Sequence, residues 1–582
     1  MQTKTPQFDA LLDEILENLV PHERECKWKG EHPHCEGEFE ITKEDIDFLK
    51  MLRVPAPNFC PTCRRMKRFV HMNQLRLFKR ECNAPGHNES MISILPEECP
   101  FPVYDYVYFI SDDFDPFFFK QKYDENISPH EQLFKMRKIF PMPSFLNRDP
   151  SSVNSDYSNG GRNLKNGYYV MGCYNSENIW YSGLTRNSKD VMDSGLINDS
   201  DHVYRSVLSD HIYKSSFIYF SNDCTDSMFL FDCRNCDNCF GCVNLRGVKY
   251  RVWNIQLSKG DYEEFIKTVY PFSIDAMKKY REKFWTLVKS LPVNASRNVS
   301  VENVSGTLLR NSRNLYDVID VDNSEHIRHA DGCLSHQDSM DILFSGGKSS
   351  LLYGTTNIGS HSSNVKFSVS SKLVTNSEFV FNSKNLDYCF MCFGLQNKSY
   401  CIFNIQYNPE EYFSLVDKIK TEMLKRGEYE DGLGFEFSAQ AYNFSMGQRY
   451  FPLSDNEIIK LGGYVAKEPE TNAGNVKIFS SEEVPQTINE VSDDIVNHAI
   501  KCEVTGKPFR IIPSELQFYR KMKLPIPITH PIIRMEERLL LAPFGKKYSD
   551  NCAKCKKQIY SIFDPKDNFI LYCEKCYQQE VY

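Results

Sequence analysis

The sequence predicts a mainly β chain in which a duplicated, β-helix-like solenoid is flanked by N- and C-terminal zinc-ribbon modules with a few helices. Three observations predict it. Segments starting at 163, 175, 187 and 199 (NLKNGYY, NSENIWY, NSKDVMD, DSDHVYR) recur every 12 residues. A second set recurs at 311, 323, 335 and 347 (NSRNLYD, NSEHIRH, SHQDSMD, GKSSLLY), 148 residues after the first. Finally, residues 39–82 and 509–552 align without a gap at a constant offset of 470, matching Phe39 with Phe509, Pro61 with Pro531, Arg64 with Arg534, Arg68 with Arg538 and Cys82 with Cys552.

In order along the chain, residues 1–22 predict an acidic amphipathic helix with Leu11, Leu12, Ile15 and Leu19 on one face. Neither a basic-then-apolar leader nor an 18-residue apolar run is present, so a cytoplasmic chain is expected. In a reducing compartment, 21 cysteines at CxxC spacings argue for metal rather than disulfides. The formal charge of 69 − 77 = −8 gives no global basic field, so nucleic acid could be held only by a local patch.

The N-terminal module is assigned to 23–110 and the C-terminal module to 496–582. Each holds two ribbon positions, and the copies keep different ones. Cys552, Cys555, Cys573 and Cys576 form two knuckles, a tetrahedral thiolate set of the kind Zn²⁺ prefers. Cys60 and Cys63 form one N-terminal knuckle, with Cys26 and Cys35 as partners and His32 or His34 as substitutes. The remaining N-terminal position keeps Cys82 but has Asp105 and Tyr108 in place of the second knuckle; Cys82, His87 and Cys99 are a further candidate metal set. About two Zn²⁺ per chain are expected, in closed, structural sites.

After a connector at 111–149, two lobes are expected at 150–290 and 291–430, each ending in a helical segment (261–290 and 409–426) placed to cap it. A linker at 431–495 leads to the last module. Each repeat opens with Asn, Ser, Asp or His, which turn the chain easily, and continues with β-branched or aromatic residues that suit a short strand. Whether one turn takes one, two or three repeats is left open by the spacing.

Four cysteines at intervals of three, Cys233, Cys236, Cys239 and Cys242, could wrap an iron–sulfur cluster on a loop. Within extended chain, residues three apart face opposite sides, which would point 233 and 239 away from 236 and 242. A buried cysteine ladder is the expectation. Residues 64–80 carry Arg64, Arg65, Lys67, Arg68, Arg76, Lys79 and Arg80 and no acid, a candidate nucleic-acid patch. The competing expectation is a helix packed on the ribbon or docked on the acidic segment 112–115. The Asp and His residues of the repeats occupy turn positions, although paired carboxylates are also what a glycan-cleaving solenoid enzyme needs.

The segments FEITKEDIDFLKMLRVPAPNFCPTCRR and CEVTGKPFRIIPSELQFYRKMKLPIPITHP resemble uncharacterised cysteine-rich zinc-ribbon repeat proteins widespread in candidate bacterial phyla. The NSKNxYxCF-type repeats and CAKCKK…YCEKCY share this resemblance, which spans nearly the whole chain. It implies the same module order and brings no activity. The expected function is therefore a non-enzymatic zinc-binding scaffold contacting RNA, DNA or a ribonucleoprotein, with a polymer-acting enzyme or a metal protein through Cys233–Cys242 as alternatives.

Overall fold

The computed structural model describes residues 4–73, 76–146, 149, 151–469, 473–541 and 545–582. It is mainly β, with a few helices. The described residues divide into two compact units. One comprises 4–146, 296–467 and 545–547; the other comprises 149, 151–295, 468–469, 473–541 and 548–582. The N-terminal module thus belongs to the same unit as the second lobe, and the C-terminal module to the same unit as the first.

Within each lobe successive segments one sequence repeat long, each termed a coil, pair in parallel with the next. Lys189 pairs in parallel with Asp201, Val191 with Val203 and Met192 with Tyr204, and Lys384 with Gln396 in the second lobe. One coil therefore takes one 12-residue repeat. The finer pattern is a triplet. Asn175, Asn178, Tyr181, Leu184, Asn187, Asp190, Asp193, Leu196 and Asp199 all have φ near +50°. A left-handed residue at every third position folds each coil into four short sides. Asn and Asp tolerate that conformation better than other residues, which is why they mark the repeat in the sequence.

The residue after each corner points inward. In one coil these are Ser188, Val191, Ser194 and Ile197, none of them more than 4% exposed. The same positions in neighbouring coils supply the first lobe's core: Leu164, Ile179, Val191, Val203, Ile212 and Leu230. The inward serines are not unsatisfied. Each hydroxyl donates to the carbonyl two residues earlier, as Ser188 does to Arg186 at 2.7 Å. It then accepts the amide 12 residues later, as from Ser200 at 3.1 Å. This supplies the partners that buried corner amides require. Outside, Asn163, Asn175, Asn187 and Asp199 bond one to the next at 3.1–3.3 Å, a polar ladder with the period of the coil.

The pairing of strands from Arg162 to Tyr219 closes on itself as a seven-membered parallel ring, whereas the second lobe runs as ten strands in chain order. Its register is not uniform: it shifts from 12 to 13 residues where His336 pairs with Ser349 and Ser350 with Ser363. Gly346 and Gly347 lie between Ser345, paired at an offset of 12, and Ser349, paired at an offset of 13. Each lobe ends with its last strand turning back antiparallel, at Ile255–Gln256 and Ile405–Gln406. The expected helical segments follow, resolved as Lys259–Val269 and Ile274–Lys289 in one lobe and Pro409–Arg426 in the other. They pack on the last coils through aromatic contacts, such as Phe240 with Phe265 and Tyr400 with Tyr412.

Replacing Asn187, an exposed corner, by Val should lower stability by about 1–2 kcal/mol, because a β-branched residue strains the left-handed region. Replacement by Gly should be nearly neutral. Chemical denaturation of the two variants checks this, and equal stabilities would be the contrary result.

Candidate metal centres

In the N-terminal module, the hairpin of His22–Glu25 and Glu38–Ile41 presents Cys26 and Cys35 on its connecting loop. Cys60 caps the helix Pro61–Phe69, which carries Cys63 in its first turn. The four sulfurs all lie within 4.8 Å of one another. Cys26 and Cys63 are 3.7 Å apart, close to the edge of roughly 3.8 Å that a ZnS₄ tetrahedron with Zn–S of about 2.3 Å requires. Hydrogen bonds from Cys60 and Cys63 hold the Cys26 thiol far below its usual range, while they push Cys60 and Cys63 upward. His34 is turned away to the carbonyl of Pro452. His32 places Nε2 3.2 Å from the Cys63 sulfur, beside the tetrad rather than in place of a cysteine.

The C-terminal tetrad is built the same way. The hairpin of Tyr548–Asn551 and Gln558–Ser561 carries Cys552 and Cys555 on its turn. Cys573 caps the helix Glu574–Val581, with Cys576 in its first turn. Again the four sulfurs lie within 4.8 Å of one another, and Cys555 and Cys573 are 3.7 Å apart. Burial opposes ionisation of Cys552, but the amides of Cys555, Cys573 and Lys554 bring it down to about 6. Both tetrads fit Zn²⁺ in donor type and spacing. A bound ion would tie the hairpin loop to the helix cap in each module.

One detail links all four ribbon positions. The amide that opens the second half donates to the first cysteine's sulfur at 3.3 Å in each: Cys60 to Cys26, Cys573 to Cys552, Asp105 to Cys82 and His530 to Cys502. The degenerate positions thus keep the frame of a knuckle without its ligands. Cys502 was missing from the sequence expectation. Its signal, Cys502-x₂-Thr505 beside Cys552-x₂-Cys555, is displaced from the 470 offset by the longer Cys26-x₈-Cys35 loop.

At the Cys82 position the third group beside the expected pair is Glu89. Cys82, His87 and Glu89 gather within 4.8 Å, whereas the Cys99 thiol faces the carbonyl of Ala439 at 3.5 Å. Glu89 is brought there by the strand Ser90–Ser93, which pairs with Phe78–Glu81.

The lumen cysteines also differ from expectation, for a clear reason. With a left-handed residue at every third position, residues three apart do not alternate. Cys233, Cys236, Cys239 and Cys242 all point inward, one from each side of a single coil, and none is more than 1% exposed. Each thiol lies near the carbonyls two residues before and nine after, as Cys233 does with Phe231 and Cys242 at 3.6 and 3.5 Å. Inward serines make the same contact. Among the described residues these four sulfurs are not one of the groups gathered within 4.8 Å.

The basic stretch is not a surface patch. Arg64, Arg65, Lys67, Arg68 and Arg80 are at most 8% exposed; Arg76 is half-buried and Lys79 is exposed, while residues 74–75 lie outside those described. The helix Pro61–Phe69 lies on the second lobe rather than on 112–115. Arg64 and Arg68 share Asp341 at 2.7 and 2.9 Å, Arg65 meets Asp331 at 2.8 Å, and Arg68 also bonds the carbonyl of His329. Lys67 donates to the carbonyl of Asp431.

The other unit repeats this contact. Arg534 and Arg538 share Asp193 at 3.2 and 3.1 Å, and Arg538 bonds the carbonyl of Tyr181. The arginines differ by 470 and the lobe residues by 148, the two offsets read from the sequence. Glu515, at the place of Asp45, is fully buried beside Arg534. Burial outweighs that cation and lifts its carboxyl to about 7.

No protein-family model, curated protein or solved structure matches the chain.

Arg65→Ala should destabilise its unit by about 3–5 kcal/mol, since it leaves the buried Asp331 without its paired cation; Arg68→Ala should cost less, because Arg64 still pairs with Asp341. Denaturant midpoints test this. For Glu515, the folded state retains a proton that the unfolded chain releases above about 4.5. Stability should therefore fall as pH rises from about 4.5 to 7, by up to about 3 kcal/mol. Glu515→Gln should flatten that slope relative to the parent chain; parallel slopes would be the contrary result.

Proposed function

We propose that the chain is a zinc-stabilised, non-enzymatic scaffold or binding protein whose lobes are β-solenoids. The observation that carries this is the pair of four-cysteine clusters. Each supplies a complete tetrahedral donor set, with no protein position left open for a substrate. Bound zinc would act by cross-linking each small module, which cannot bury enough apolar surface to hold itself together. The modules then hold a lobe through the shared-aspartate contact. The long ladder-bearing faces of the coils remain as extended surfaces of the kind that repeat proteins use for binding.

Contact with RNA, DNA or a ribonucleoprotein is not carried by Arg64, Arg65, Lys67 or Arg68, because those charges are consumed by internal partners. The carboxylates considered for a glycan-type enzyme are likewise engaged: Asn178 donates to Asp190, Asn187 to Asp199 and Asn198 to Asp210. The resemblance to cysteine-rich zinc-ribbon repeat proteins accords with this reading and adds no activity to it.

Elemental analysis of reduced protein purified without chelators should give about two zinc ions per chain. Cys573→Ser should lose one and leave the last 30 or so residues open to protease, because a ribbon of this size depends on its metal for folding. Metal content near zero would overturn the proposal. A 260/280 nm absorbance ratio typical of free protein is expected; co-purifying nucleic acid would instead favour the ribonucleoprotein reading through some other surface.

A further inference from the structure

In the unit containing the second lobe lies a small, partly enclosed cavity of about 20 Å³. It is lined by His71, Arg137, Ser370, Asn382 and Gln440 among apolar residues. Arg137, on the helix Pro129–Ile139, is 1% exposed. Its Nε donates to the carbonyl of Phe437 at 3.0 Å, and its guanidinium lies 3.7 Å from the centroid of the Phe101 ring. Among the described residues, one terminal nitrogen, Nη1, is buried with no partner. Two other unpartnered polar atoms border the same cavity, Nε2 of His71 and Oε1 of Gln440, on side chains 6% and 4% exposed.

The contrast with the neighbouring arginines is informative. Arg64, Arg65 and Arg68 each meet an aspartate within 3 Å. The groups nearest the charge of Arg137 are instead Cys99 and Tyr464, and burial raises both, keeping them neutral. His71 is neutral as well, since burial and then Arg137 lower it to about 3. A buried cation with no anionic partner is disfavoured by several kcal/mol unless a counter-charge accompanies it. Here the missing partner and an adjoining space coincide.

We infer that this cavity is a binding site for one small monovalent anion of halide size, held by Arg137. The guanidinium Nη1 donates to it, a neutral His71 can turn an N–H toward it, and a half-turn of the Gln440 amide replaces the acceptor facing the cavity with a donor. Space and charge together set the class. The space exceeds the 10–15 Å³ or so that one water requires, and the single unpaired charge of Arg137 matches a monovalent ion. A halide also needs no acceptor from the protein, and that suits a pocket whose free cationic donor is Arg137.

Bromide soaked into crystals of the full, zinc-loaded chain should give an anomalous peak between Arg137 and His71. In solution, the unfolding midpoint should be roughly 2–4 °C higher in chloride than in gluconate at equal ionic strength. Arg137→Met should abolish that difference, whereas Arg137→Lys, which keeps the charge, should retain part of it. Equal midpoints in the two salts for the parent chain would overturn the inference. So would a halide effect that survives Arg137→Met, or a lone water without anomalous signal. If Arg137→Met fails to fold, the bromide peak and the parent chain's salt dependence decide the question.

Discussion

Everything in the two lobes follows from a backbone that turns left-handed at every third residue. That constraint puts four corners into 12 residues and makes the coil pitch equal to the repeat. It also sends the residue after each corner to the interior. The strain at non-glycine corners, on the order of 1 kcal/mol each, is offset by parallel pairing with the coils on either side and by the serine bonds inside. No coil could hold this shape alone. Cooperation between neighbours is therefore built into the geometry, as expected of stacked repeats.

The same constraint explains the composition of the core. An inward position lies close to three others of its own coil, so the lumen is narrow and favours Ser, Cys, Val and Ile over larger side chains. Serine and cysteine interchange because both can contact the carbonyls of adjacent coils. Cys233–Cys242 fill one complete turn in this way, and their regular spacing matches the triplet.

Much of this was legible in the sequence, and the gaps have physical causes. The 12-residue pitch and both duplications could be read because corners prefer Asn and Asp, and because knuckles and prolines mark the modules. The triplet within the pitch was hidden: Tyr181, Leu184 and Leu196 are also corners, and no propensity marks them. The inward turn of the cysteines was lost with it. The sequence leaves the arginines of 64–68 open between a nucleic-acid patch and a packed helix because their partners, Asp331 and Asp341, lie more than 260 positions away (331 − 65 = 266; 341 − 64 = 277). Cys26, Cys35, Cys60 and Cys63 were identifiable from type and spacing, whereas Glu89 required knowledge of how the strand Ser90–Ser93 pairs.

The crosswise assignment of modules to lobes has a consequence for how the chain is made. During synthesis the N-terminal module emerges first, but Asp331 follows Arg65 by 266 residues. At about 5–20 residues per second that interval is roughly 15–50 s. The first lobe waits in turn for a module translated after it, Arg534 following Asp193 by 341 residues (534 − 193 = 341). Each unit thus exists for a time with one charged face uncovered, Arg65 and Arg68 in one and Asp193 in the other, and such groups remain well hydrated until their partners arrive.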